Sequence, residues 1–266
     1  MGQMKNSPLI EAIFELRWGE TAPGQFSISM EEQEFLPGRF QQQIKQSGYS
    51  YFERPVDPTL PAGLKLPHKV NHRFRRAKDT WPCFQIGLGI FTANQLGNLA
   101  LKEEGIDRDD YDWDTFLPVI LSGIASLDQS LSGGVSGLGN AVVMLNYQDG
   151  FVLGDGESYL QFLQDKLRTS FRLPDQFMSS SNLTPDSTGF NINLTNQTLS
   201  PDGELLISIS SGMVKDKRAV LMNTICTSRL QIGADTITMI RDWADKAHTI
   251  QRHTFDTLIT PAAYGI

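Results

Sequence analysis

Cysteine and histidine are the scarcest reactive residues in this chain of 266, with two cysteines, Cys83 and Cys226, and four histidines, His68, His72, His248 and His253. Two thiols do not make a metal cluster. Each sits in an apolar run, where a thiol packs as a small hydrophobe, so both are expected to be buried and reduced, as in a reducing compartment. His248 and His253 lie five positions apart, about 140° around a helix, so they do not share a face as the four-residue step of a metalloprotease motif would require. No metal and no cofactor is implied. Long apolar runs are missing too. The longest, from Phe116 to Leu127, is broken by Pro118, Ser122 and Gly123 and falls short of the roughly 20 residues that cross a bilayer. The start, Met1-Gly2-Gln3-Met4-Lys5-Asn6, has no apolar leader core, and Asn6 stands where a myristoylation signal needs Ser or Thr. These absences point to a cytoplasmic protein with no membrane contact. Nucleotide and hydrolase signatures are absent as well. The glycine-rich Ser132–Gly139 is followed by no Gly-Lys-Ser/Thr and opens no G-x-G-x-x-G helix, so it reads as a flexible connector, and there is no G-x-S-x-G elbow.

Positive charge is in deficit, with a net charge of −7, which argues against a surface that grips nucleic acid all over. The remaining composition, 40% hydrophobic and 20% charged, is that of an ordinary soluble globular protein and predicts a packed core.

What is present is an order of elements that occurs twice. Leu9–Trp18 alternates, with Ile10, Ala12, Phe14, Leu16 and Trp18 on one side, which predicts a half-buried central strand. Phe35, Leu36, Phe40 and Ile44 predict a helix over 31–47, with Pro37-Gly38 able to delay its start to about Pro37. A proline-rich loop follows over 49–67, holding only a short strand at 51–54. Strands at 69–78 and 83–94 form a hairpin through Asp79-Thr80-Trp81-Pro82, and Trp113, Phe116, Leu117, Ile120, Ile124 and Leu127 predict an amphipathic helix over 111–131. After the connector the order resumes with a strand at 141–153 and a helix at 157–171 that uses Tyr159, Leu160, Leu163, Leu167 and Phe171. Strands follow near 188–199, 204–213 and 219–230, and a closing helix at 235–259, capped by Asp235, carries Ile237, Ile240, Trp243, Ala247 and Ile250. The expected fold is α+β, built from two halves, 1–131 and 140–266, joined by residues 132–139 and together forming one continuous domain. Each half runs strand-helix-strands-helix, and the two share a curved antiparallel sheet with helices on one face. This topology resembles TATA-box-binding-protein-like and helix-grip folds; an unrelated α+β sheet is the alternative.

Four segments carry a further resemblance: Pro8-Leu9-Ile10-Glu11-Ala12-Ile13-Phe14-Glu15-Leu16; Gln85-Ile86-Gly87 running to Thr92-Ala93-Asn94-Gln95; Tyr111-Asp112-Trp113 with Phe116; and Ala247-His248 followed by Phe255 and Leu258-Ile259-Thr260. Together they resemble a family of uncharacterised, sporadically distributed bacterial proteins of about this length. The resemblance implies no defined activity. The patchy distribution of such proteins is similar to that of genes in phage-defence or toxin-control loci, and implies an accessory role beside a protein partner.

Two sets of residues are candidates for function. The stretch from His68 to Lys78 holds Lys69, Arg73, Arg75, Arg76 and Lys78 with Phe74, the one strong positive feature of an acidic chain. In a strand, Arg73 and Arg75 share one face, with His72, Phe74 and Arg76 on the other. It serves either as an anion or nucleic-acid contact, with bidentate arginines and a stacking Phe74, or as an edge strand whose charges block edge-to-edge pairing. The second set is Asp245, three residues before His248, which forms an acid–base pair if it orients the ring, or a helix-surface contact if it does not. The run Asp107, Asp109, Asp110, Asp112 and Asp114 lacks the glycine and terminal Glu of an EF-hand and reads as an acidic helix start. The leading functional reading is a non-enzymatic binding protein that engages a protein partner. Nucleic-acid binding through residues 69–78 and an enzyme or small-ligand pocket near His248 are the alternatives, and a homo-oligomer is compatible with all three.

Overall fold

The computed structural model describes residues 7–55, 66–97, 99–100, 111–168, 189–233 and 235–264. Asp107, Asp109 and Asp110 of the acidic run, Phe171, and most of the proline-rich loop, 56–65, lie outside the described residues. Among the described residues, no helix is long and apolar enough to cross a membrane.

The alternation in the first segment makes β1 (Leu9–Trp18), which pairs antiparallel with β7 (Ile90–Leu96) on one side and with β8 (Asn140–Val152) on the other. Its buried side carries Ala12, Phe14, Leu16 and Trp18, but Leu9 takes the place expected of Ile10. A register shift between Leu9 and Glu11 inserts one extra residue, and a bulge of that kind moves the residues beyond it to the opposite face.

Flanking this centre are β4 (Tyr51–Glu53), β5 (Val70–Arg75) and β6 (Cys83–Gly87) on one side, and β11 (Lys217–Gln231), β10 (Asp202–Val214) and β9 (Asn191–Leu199) on the other. The nine-stranded antiparallel sheet has the order β4-β5-β6-β7-β1-β8-β11-β10-β9; a separate small hairpin is made of β2 (Glu20–Ala22) and β3 (Gln25–Phe26). The strand expected over 83–94 is two strands, because the chain turns back at Leu88-Gly89. Gly89 has a φ of +67°, and a Cβ there would stand 2.6 Å from the Trp18 carbonyl oxygen, so the turn needs glycine.

Four helices lie on the face of the sheet that carries the apolar alternates. Helix α1 (Met30–Lys45) begins ahead of Pro37 and runs through it. The Ser29 side chain accepts from the Glu32 N–H, starting the first turn, and Leu36, Phe40 and Ile44 are buried. The Phe40 ring sits 5.5, 6.0 and 5.8 Å from those of Phe74, Phe84 and Phe91, a burial that offsets the ~3 kcal/mol an interior proline costs. Helix α2 (Trp113–Ser130) closes against the same aromatics, since a Cβ on Gly123 would stand 2.6 Å from the Phe91 ring. Helix α3 (Tyr159–Lys166) is shorter than expected, starting at its Ser158 cap and placing Phe162 against Phe151. Helix α4 (Thr236–Leu258) packs Trp243 on Phe14, while Gln251 donates to the carbonyls of Leu145 and Thr224. Asp235 occupies the cap position of α4 but its side chain makes no cap bond. Cys83 and Cys226 are free and buried, and burial pushes both thiols up to about 12.

Candidate functional site on the polar sheet face

Opposite α1–α4, the cross-strand register builds a second surface from the polar alternates of the same strands. Glu53, Arg73, Gln85, Thr92 and Glu15 are successive partners across β4, β5, β6, β7 and β1, and so form one row. Asn94 and Ile13 begin the next row, and Glu11 lies one step further along β1. On the opposite side of the Glu53–Glu15 row, Val70, Gly87, Ile90 and Arg17 are partners. A cavity of about 430 Å³ opens on this surface, lined along β1 by Glu11, Ile13, Glu15 and Arg17, and walled by Lys69, Val70 and Trp81. Gly87 lets that wall form, because the Lys69 carbonyl oxygen lies 1.9 Å from where a Cβ would be.

The cavity floor is a fixed hydrogen-bond network. Asn94 Oδ1 accepts from Gln85 Nε2 at 3.0 Å and from Thr92 Oγ1 at 2.6 Å, so its amide can only be oriented one way, and Nδ2 donates to Glu11 Oε1 at 2.8 Å. Gln85, Thr92 and Asn94 are all buried. Polar groups satisfied by one another in this way hold a single geometry, since breaking one bond strands a buried partner. Burial raises the Glu11 carboxyl above the ordinary range, against the opposing pull of the Asn94 bond and of Arg73 and Arg75.

The basic strand sits beside this cavity but is already engaged. Arg73 and Arg75 do share a face, and both reach the same Glu53 oxygen, at 3.1 and 3.0 Å. The two bonds and the charges behind them draw the Glu53 carboxyl down despite its burial. Arg75 is 5% exposed, lies 4.4 Å over the Trp81 ring and donates to the Thr80 carbonyl. Phe74 is fully buried against Phe40 and Phe52, so the stacking surface expected of it is absent: strand alternation turns it towards the helices. The strand ends at Arg75, leaving Arg76 over the Tyr49 ring and Lys78 exposed in the following turn.

The structure brings Asp245 and His248 together, but by way of other residues. Trp113 stacks on the His248 ring at 4.5 Å and 6° and donates from Nε1 to Asp245 Oδ1 at 2.8 Å. Asp245 therefore does not orient the imidazole. Tyr147 does, with its hydroxyl 2.8 Å from His248 Nδ1 and 2.8 Å from the Tyr111 hydroxyl. Burial lowers His248 to about 4, with Arg252 adding to it and Asp245, Asp114 and Asp112 opposing. Two residues beyond Tyr147 in β8, Asp149 is buried, and the loss of solvent alone raises it to about 7. Among the described residues there is no group of three or more His, Cys, Asp and Glu side chains able to hold a metal ion.

Glu11, Gln85, Thr92 and Asn94 lie within two of the segments that carry the family resemblance, but those segments assign them no role. Their one signal is alternation, which puts Glu11 and Glu15 on the outward side of β1 and a lone Gln85 in an apolar strand; which strands lie side by side is not written there. No family model, curated protein or solved structure matches the chain.

Proposed function

We propose that this chain is a non-enzymatic binding protein that engages a protein partner on the sheet face opposite α1–α4, with the cavity along β1 as the anchoring point. The observation that carries this reading is the cavity floor. A polar network built into the outer face of a sheet does nothing for the apolar core, yet here it is buried and locked into one orientation, as groups that receive a ligand are. We also infer that residues 1–131 and 140–266 are a duplication of the TATA-box-binding-protein-like kind. In support, each half places its first strand at the β1–β8 centre with its last strand beside it, β7-β6-β5-β4 running outward on one side and β11-β10-β9 on the other, and each half runs strand, helix, strands, helix. The resemblance of Pro8–Leu16 and the three later segments to sporadically distributed bacterial proteins agrees with an accessory cytoplasmic partner in a phage-defence or toxin-control locus. The nucleic-acid reading is the weaker one, because Arg73 and Arg75 are tied to Glu53 and Phe74 is buried. His248, under the Trp113 ring, does not line the cavity.

A photo-cross-linking residue at Ile13, within the cavity, tests this against one at Ile237, exposed on α4. In native cells Ile13 is expected to capture one stoichiometric protein and Ile237 none. No stoichiometric species at Ile13, or equal capture at both positions, refutes the reading.

A further inference from the structure

Two carboxylates, Glu11 and Glu15, line the cavity, a third, Glu53, is paired with the lining Arg73, and two of the three are already neutralised. Glu15 accepts from Arg17 Nε at 2.7 Å and stands 2.5 Å from its Nη2, and Glu53 is shared by Arg73 and Arg75. Glu11 differs. Its bond is to an amide, the Nδ2 of Asn94, and among the described residues no Lys, Arg or His forms an ion pair with it. A carboxylate accepts several hydrogen bonds, so this single contact leaves most of its capacity to the space it lines.

Of the cations at the cavity, Arg73 is held by Glu53 and, with Arg75, acts on Glu11 without an ion pair, while Arg17 and Lys69 stand at the other end. Arg17 stands six residues along β1 from Glu11, roughly 20 Å away at ~3.3 Å per residue. Val70 belongs to the Gly87–Ile90–Arg17 row, so Lys69 lies at that same far end. Between the ends, Ile13 offers an apolar surface beside Glu11, of the sort that covers the methylene stem of a long cationic side chain. We infer that the Glu11 end of the cavity receives an organic cation, the ammonium or guanidinium group of a Lys or Arg side chain presented by the partner. The inference rests on the sheet face opposite α1–α4 being the docking surface. Burying a carboxylate that has no ion-pair partner of its own is costly, and the arriving cation adds to the distant pull of Arg73 and Arg75 a charge-assisted hydrogen bond. Asn94, locked by Gln85 and Thr92, positions the carboxylate before the cation arrives.

The probe is Nα-acetyl-lysine methylamide, with the uncharged Nα-acetyl-norleucine methylamide as control, titrated against the full chain while the side-chain amide NMR signals of Asn94 and Gln85 are followed. The lysine probe is expected to shift both signals saturably and to bind roughly tenfold or more tightly than norleucine. Glu11→Gln is expected to abolish the difference, because its amide oxygen still accepts from Asn94 while the charge is gone. Glu15→Gln is expected to preserve it. Equal binding of lysine and norleucine by the wild-type chain overturns the inference without recourse to any variant, as does a preference that survives in Glu11→Gln. If the Ile13 cross-linker captures its partner equally well in the wild type and in Glu11→Gln, the docking face stands and the cation assignment falls. If the wild type captures nothing while the lysine preference holds and depends on Glu11, the cation site stands and the protein-docking reading falls.

Discussion

Replacing Asp149 by Asn is expected to change how stability depends on pH. The carboxyl lies on the helix side of β8, near the Tyr111–Tyr147 hydroxyl pair, and burial raises it from 3.8 to about 7. The folded protein therefore holds this proton more tightly than the unfolded chain. The resulting stability is fully present below about pH 3.8 and is lost as pH rises to about 7. At ~1.4 kcal/mol per pH unit over about three units, the loss is at most roughly 4 kcal/mol. His248 acts in the opposite sense. It falls from 6.5 to about 4, so its contribution is present above pH 6.5 and is lost as pH falls to 4, an order of roughly 3 kcal/mol. Between pH 4 and 6.5 the two slopes cancel in the wild type. Urea unfolding from pH 4 to pH 8 separates them. Relative to wild type, Asp149→Asn should gain least near pH 4 and gain steadily towards pH 8, by up to ~4 kcal/mol, with an unchanged m-value. His248→Gln should show the reverse trend, with its relative gain largest at pH 4. A difference between Asp149→Asn and wild type that is flat across the range would show that Asp149 ionises normally, and would refute the reasoning.

Two further outcomes follow from the packing and from the basic strand. Gly123→Ala should destabilise by about 1–3 kcal/mol, although alanine favours helix, because the new Cβ would stand 2.6 Å from Phe91 Cζ and 2.7 Å from Phe84 Cε1; an unchanged melting temperature would mean that α2 is not seated there. The wild type should bind a DNA duplex no better than the Arg73→Ala/Arg75→Ala double variant at any salt concentration, measured by fluorescence anisotropy. A salt-sensitive affinity lost in the double variant would restore nucleic-acid binding.

The elements were largely legible because periodicity is a local property. The alternation over Leu9–Trp18 gave β1 its span, and the three- and four-residue steps through Phe116, Ile120, Ile124 and Leu127 gave α2 its buried stripe. Errors arose where a local rule met a non-local force. Pro37 did not delay α1, since Leu36 is buried and Phe40 is held by aromatics from β5, β6 and β7, and the strand over 83–94 broke at Gly89, where the backbone of Trp18 comes close. The candidate site divided in the same way. Alternation alone put Arg73 and Arg75 on one face, but whether they were free depended on Glu53, which lies 20 and 22 positions earlier in the chain.

The sequence by itself determined which residues alternate, where the helices run, that the thiols are buried, and that positive charge is concentrated in one strand. Only the tertiary structure decided that β1 lies between β7 and β8, which brings Glu11 to Asn94 across 83 residues and Tyr147 to His248 across 101. Those contacts depend on strand register and helix docking. Both are set by the summed burial of side chains far apart in the chain, a quantity that no local pattern contains.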